Sequence, residues 1–138
     1  MRPEPFRYDR LVKSEDLNHH QTLFAGRCAE WFVEAGFIAC ASVLPSGGIV
    51  CLQIHGLTFT SPAQSGDIAR FTSKIVHTGR TSLKVYVTLN IQSKTDPVVE
   101  GFITFVHVND EGKSKPHGLT LELVTPEDIK LHQFAANL

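Results

Sequence analysis

One segment limits the possible folds more than any other. From Leu23 to Leu44, apolar residues recur at helical spacing: Leu23, Phe24, Cys28, Trp31, Phe32, Ala35, Ile38, Ala39 and Val43. Arg27, Glu30 and Glu34 fall three and four apart on a separate stripe. Thr22 stands where an N-cap is expected, and Pro45-Ser46-Gly47-Gly48 ends the pattern. The spacing predicts one helix of about 22 residues, roughly 33 Å long. Its apolar residues cover more than half of its circumference, so something must wrap it. It is too short to span a membrane: the longest apolar stretch, Trp31 to Leu44, is interrupted by Glu34 and Ser42 and falls short of about 20 residues.

The wrapping has to come from the rest of the chain. Phe6 to Val12 reads as a first strand. After Gly48 the apolar period becomes two, with strands expected over Ile49–His55, Leu57–Phe59, Ile68–His77, Ser82–Gln92 and Val98–Val108. Their connections are short and carry turn residues. Pro126 to Ala136 reads as a closing helix, with Thr125 as N-cap and Pro126 at the first helical position. A chain of 138 residues, 42% hydrophobic and 20% charged, is enough for one folded domain over 1–138 without disulfide or metal. The expected class is α+β. An antiparallel sheet wraps one long central helix, with a short C-terminal helix added, the arrangement known as the hot dog. Such a sheet keeps open edges, so a homodimer with sheets paired edge to edge is the expected minimal unit, a tetramer or hexamer remaining open.

Composition excludes several roles. A net charge of −1, with seven histidines neutral, predicts no general affinity for nucleic acid. Cys28, Cys40 and Cys51 form no CxxC, which points to buried reduced thiols rather than disulfides or zinc. The N-terminus lacks an apolar signal core, so a soluble cytoplasmic protein is expected, with no membrane partner. His19-His20 has no third ligand at fixed spacing, so no metal is expected.

The segment Asn18-His19-His20-Gln21-Thr22-Leu23-Phe24-Ala25-Gly26-Arg27 resembles the motif that opens the long helix of hot-dog acyl-CoA thioesterases, Asn-x-x-Gly-x-(Leu/Val)-(Phe/His)-Gly-Gly. The bacterial short-chain acyl-CoA thioester hydrolases and the brain-type cytosolic acyl-CoA hydrolases are the nearest kinds. Phe59-Thr60-Ser61-Pro62 with Ser65-Gly66-Asp67, Thr78-Gly79-Arg80-Thr81-Ser82 and Phe102-Ile103-Thr104-Phe105 are similar to later family segments, in the family's order. Three positions depart from the pattern: Gln21 and Ala25 replace glycines, and Val33 stands where the family acid is expected.

The resemblance implies an acyl-CoA thioesterase, releasing a carboxylic acid and coenzyme A. No cofactor is expected, since coenzyme A is part of the substrate. N–H groups of Ala25 and Gly26, in the expected first helical turn, would polarise the thioester carbonyl. Gly26 would equally serve close packing of helix on sheet. Asn18 matches the family asparagine that holds the attacking water or the carbonyl, in place of a plain turn role. Glu34 is the nearest substitute for the missing acid and would activate water, with Glu30 as second candidate; otherwise both belong to a polar stripe paired with Arg27. His20 and Phe59 would line the cleft. Gly79, Arg80, Thr81, Ser82 and Lys84 would grip coenzyme A through phosphate contacts and turn N–H groups. The acid and the asparagine would come from facing protomers. A non-catalytic acyl-CoA or acyl-ligand binding protein is the alternative, motivated by Val33. An acyl-sensing transcription factor is disfavoured by the absence of a separate helix-turn-helix segment.

Overall fold

The computed structural model describes residues 1–138. Strand β1 (Phe6–Leu11) leads through a turn to helix α1 (Ala25–Ala41). Four long strands follow, β2 (Ile49–Phe59), β3 (Ile68–Thr78), β4 (Ser82–Ile91) and β5 (Val99–His107), and then helix α2 (Pro126–Ala136). All pairings are antiparallel, in the order β1-β3-β4-β5-β2. The five-stranded sheet curls around α1, whose Cys28, Trp31, Phe32, Ala35, Ala39 and Cys40 are buried against Phe71, Leu83, Val85, Leu89, Ile103 and Phe105 of the sheet. This is the α+β hot dog that the wrapped helix demanded. Alternation along β4 is strict, Leu83, Val85, Val87, Leu89 and Ile91 being buried between half-buried neighbours, as a central strand on a core requires.

Helix α1 is shorter than its apolar pattern: 17 residues rather than 22, and about 26 Å long. The loss is at both ends. Thr22 does not cap it; Thr22 forms an antiparallel bridge with Gln64, and the Leu23 N–H donates to the Ala63 carbonyl at 2.9 Å. Those long-range bonds hold residues 22–24 extended and make Phe24 the N-cap, with no side-chain cap. At the other end Ser42 turns its hydroxyl onto the Ala39 carbonyl at 2.6 Å.

The two short strands expected around Gly56 are one strand. Gly56 has φ +84° and sits in a register shift between His55 and Thr58. The shift turns the Gly56 carbonyl onto Gly101 of β5, where a Cβ would collide with it. Cys28 and Cys40 are buried, and burial pushes both thiols up to about 12. Cys51, expected to be buried, is exposed on β2, because β2 is an edge strand with no neighbour beyond it.

The outer face of the sheet is covered by α2. Thr125 is the N-cap as expected and forms a capping box with Asp128, which also takes a bond from Lys74 of β3 at 2.9 Å. Val76, Phe102 and Ala135 form a second small core under the helix. His132 stacks on His77 at 5.0 Å between ring centroids, where burial and the nearby Lys84 hold His77 below its usual value. No helix is long and apolar enough to cross a membrane.

Candidate active site

Residues 17–23 form a miniature hairpin. Leu17 bridges Leu23, the Asn18 N–H donates to the Thr22 carbonyl at 2.7 Å, and the Gln21 N–H donates to the Asn18 carbonyl at 3.0 Å. The turn closes because Gln21 adopts φ +65°, a left-handed conformation that glycine takes without steric cost. Gln21 stands where the resemblance has a glycine, and its backbone adopts a conformation that glycine takes most easily. Bonds from residues 22 and 23 to Ala63 and Gln64 then fasten this hairpin to the chain after β2.

A cleft of about 340 Å³ opens between these pieces. Asn18, Thr22 and Ala25 line one wall, and Phe59, Thr60 and Ser61 the other. Three of the expected site residues, Asn18, Ala25 and Phe59, therefore meet. The cleft also touches the start of α1, where the electrostatics are favourable. Phe24 provides no side-chain cap, and the N–H groups of Ala25, Gly26 and Arg27 have no backbone acceptor. Free N–H groups at the positive end of a helix dipole attract an oxygen that is gaining negative charge. Gly26 serves packing of a particular kind: a Cβ there would lie 2.6 Å from the Phe24 ring, which folds over the helix start rather than over the sheet.

The Asn18 amide is held tightly. Its Oδ1 accepts from the His20 N–H at 2.9 Å and the Thr22 N–H at 3.2 Å, while Nδ2 donates to Thr22 Oγ1 at 3.1 Å. His20 itself is exposed, with its ring against His19 at 4.0 Å.

Other expected residues lie elsewhere. No carboxylate lines the cleft. The Glu34 carboxylate accepts from the Tyr8 hydroxyl on β1, and Arg10 donates to the same hydroxyl at 2.8 Å while stacking on Trp31. Tyr8 is held above its usual range by burial and by Glu34. Val33, one residue earlier, is packed against the core on the opposite flank of α1, the flank from which Phe37 reaches Phe105 of β5. The step of about 100° per residue separates the two. Glu30 is bonded to Arg27 at 3.1 Å, and Arg27 also meets the buried Asp16 at 3.1 Å.

The turn of Gly79, Arg80, Thr81 and Ser82 sits at the far end of the sheet within one chain. Strand β3 starts near the cleft and runs 11 residues to this turn, a span of roughly 36 Å. Its Arg80, Thr81 and Ser82 carbonyls are occupied by His117 N–H, His107 N–H and the His117 ring. The Lys84 ammonium donates to the main-chain oxygens of Ala135 at 2.9 Å and Leu138 at 3.2 Å, and so ties down the end of α2. A lysine at the carbonyl end of a helix matches the dipole, but that partner comes from 51 residues away. Thr22, Thr60 and Ser61 also line the cleft, and the sequence motifs gave them no role there. The signal for Thr22 was its four-residue distance from Asn18, the reach of a polar turn. No group of three or more His, Cys, Asp or Glu side chains is placed to hold a metal ion.

Comparison with known proteins gives the family and the fold. Residues 20–97, more than half of the chain, match the family described as the thioesterase superfamily. The acyl-CoA thioester hydrolase YciA of Escherichia coli strain K12 is 25% identical over 122 residues, covering 81% of this chain and 88% of that one. An acyl-CoA hydrolase of Staphylococcus aureus, solved with butyryl coenzyme A, coenzyme A and coenzyme A disulfide, superimposes with a TM-score of 0.83 at 25% identity, over 96% of this chain and 80% of that one. An apo-hexameric acyl-CoA thioesterase superimposes with the same TM-score at 29% identity, over 96% and 86% of the two chains. With its fold shared by solved acyl-CoA hydrolases and more than half of its length matching the family, the chain belongs to the thioesterase superfamily.

Proposed function

We propose that this chain is an acyl-CoA thioester hydrolase, and that it works as a homodimer at least. The observation that carries the proposal is the cleft at the uncapped start of α1, in a chain whose family and solved relatives hydrolyse thioesters. The thioester carbonyl would lie at the N–H groups of Ala25 and Gly26, with Asn18 beside it. Water attacks the carbonyl carbon, the C–S bond breaks, and coenzyme A leaves as a thiolate. A thiol is already acidic enough that the leaving group needs no strong general acid.

A second copy completes the picture. Strand β2 has a free side, and a two-fold pairing of β2 with β2 would be antiparallel. The Ile49 end of one copy would then lie beside the Phe59 end of the other. Ile49 and Val50 pair with His107 and Val106 of β5, and Val106 pairs with Ser82. The turn holding Gly79, Arg80, Thr81 and Ser82 would thus approach the cleft of the other copy, where the phosphates of coenzyme A need a partner. His20, exposed on the hairpin, would face the same seam.

The test is direct. Purified protein is given acyl-CoAs of several chain lengths and thiol release is followed. Turnover above background supports the proposal. Substituting Asn18→Ala should then cut the rate by about a hundredfold. Carboxylate assistance is tested by Glu34→Gln: a fall of about a hundredfold assigns water activation to Glu34, and an unchanged rate transfers the question to Glu30. A second reading has its own support, namely Val33 at the position of the family acid and a cleft lined by no carboxylate. Binding of acyl-CoA without turnover at any chain length would establish a non-catalytic acyl-CoA binding protein.

A further inference from the structure

We infer that Thr22 is a positioning residue that fixes Asn18 as a hydrogen-bond donor toward the substrate carbonyl. The inference rests on the hydrolase activity proposed above and deepens it. A carboxamide can usually turn over, presenting either its oxygen or its nitrogen to a ligand. Asn18 cannot. Two backbone N–H groups, from His20 at 2.9 Å and Thr22 at 3.2 Å, both aim at one end of the amide. That end must be the oxygen, because a second N–H donor there would face two donors. The other end is therefore the NH2 group.

One of its two hydrogens goes to Thr22 Oγ1 at 3.1 Å. The same hydroxyl lies 3.3 Å from Asn18 Oδ1, so Thr22 touches both ends of the amide. Asn18 and Thr22 line the cleft together with Ala25. The second amide hydrogen is the group left for a ligand. Asn18 thus offers the cleft a donor and no acceptor. A donor stabilises the oxygen of a carbonyl under attack; it does not orient water through a lone pair. The hairpin is set for this before any substrate arrives. Its closing bonds, Asn18 N–H to Thr22 carbonyl at 2.7 Å and Gln21 N–H to Asn18 carbonyl at 3.0 Å, hold the two side chains four residues apart and face to face. In this reading Thr22 acts through Asn18: its hydroxyl holds the NH2 end of the amide, while the backbone N–H groups of His20 and Thr22 hold the oxygen end, so the free amide hydrogen keeps its aim.

The experiment compares steady-state kinetics of the wild type with Thr22→Val, Thr22→Ser, Asn18→Ala, Asn18→Asp and the double variant Thr22→Val/Asn18→Ala, with a melting curve for each. Loss of one transition-state donor is expected to cost on the order of a hundredfold or more in kcat. Thr22→Val, with the amide oxygen still held by backbone but its NH2 end loose, should lose about tenfold in kcat with KM within about twofold, and Thr22→Ser should restore the rate to within about threefold of wild type, both expected of a residue that acts only by orientation. Asn18→Asp keeps the acceptor and loses the donor, so it should be as slow as Asn18→Ala. The double variant should be no slower than Asn18→Ala alone, since residues that act as a unit are not additive. The inference is overturned if Thr22→Val leaves kcat unchanged while Asn18→Ala abolishes it, if the two losses multiply, if Thr22→Ser fails to rescue, or if Asn18→Asp keeps the rate. Those outcomes leave hydrolysis itself intact. A wild type that releases no thiol from any acyl-CoA sinks the hydrolase proposal, and the role of Thr22 with it.

Discussion

The sheet has two rims, and they are built on opposite plans. Along β1 two of the three outward residues are charged, Leu11 being the third: Arg7 pairs with Asp9 at 3.0 Å, and Arg70 of β3 approaches Asp9 at 3.6 Å. The inward residues, Tyr8 and Arg10, are tied to Glu34 and Trp31 of α1. Along β2 most exposed residues are apolar, with Leu52 at 66%, Val50 at 45% and Ile54 and Phe59 at 40% exposure, Gln53 and Thr58 being exposed as well. Both rims carry unpaired backbone groups, and an unpaired strand invites another. Charge and a helix clamp close the first rim. Nothing in a single chain closes the second, whose residues look like a core cut in half. One rim is finished by the chain itself, and the other is left for a second copy in the proposed dimer.

The comparison can be broken most strongly at β2. Replacing both Leu52 and Ile54 with Glu puts four like charges on the apolar rims of a pair. Sedimentation should then show association weakened by about a thousandfold, roughly 4 kcal/mol, whereas Arg7→Ala on β1 should leave association unchanged. Equal behaviour of the two variants would mean that the rims do not differ in kind.

Packing behind the same rim is the next place to press. Gly101→Ala would set a methyl group against the Gly56 carbonyl and the Phe32 ring, and a urea titration should show a loss of about 3 kcal/mol. A loss under about 0.5 kcal/mol would mean that β2 shifts easily and is not held by this contact.

The clamp on β1 should be weaker. Tyr8→Phe removes the hydroxyl that joins Arg10 to Glu34, and should cost about 1 kcal/mol with little effect on assembly.

The smallest effect is one of pH. Asp9 is held below its ordinary value, first by its hydrogen bond to Arg7 and then by the charges of Arg7 and Arg70. A carboxylate whose folded pKa is depressed contributes stability above its unfolded value of 3.8, and that contribution fades as pH falls through the folded value. Amide exchange of β1 should therefore loosen below about pH 4 relative to β4, and Asp9→Asn should show the looser β1 already at neutral pH. Protection of β1 that is flat with pH would mean that its ion pairs do not hold the rim.

Much of this was legible in the sequence, for reasons that differ by element. Helix α2 follows from Thr125, Pro126 and the residues just after them, because a cap is a local event. Strand β4 follows from strict alternation. Helix α1 was overdrawn because residues 22–24 look helical in isolation, and their bonds to Ala63 and Gln64 lie some forty residues away. The motif order gathered Asn18, Ala25 and Phe59 at one cleft. It could not disclose that Lys84 would be taken by α2, since α2 returns across the sheet only in three dimensions. Nor could the shared stripe of Arg27, Glu30 and Glu34 reveal that Tyr8 would meet the last of them.

The charged rim has a consequence best put in the language of polymer chemistry. A sheet with two adhesive ends is a bifunctional monomer, and its coupling propagates into fibres. With Arg7 and Asp9 on β1 and Arg70 of β3 beside them, this chain would be monofunctional in the proposed dimer. Coupling through β2 would terminate at two, and the product of that step would carry charged residues on the strand at each end. Larger assemblies would have to grow through other surfaces, and each would be made of pairs.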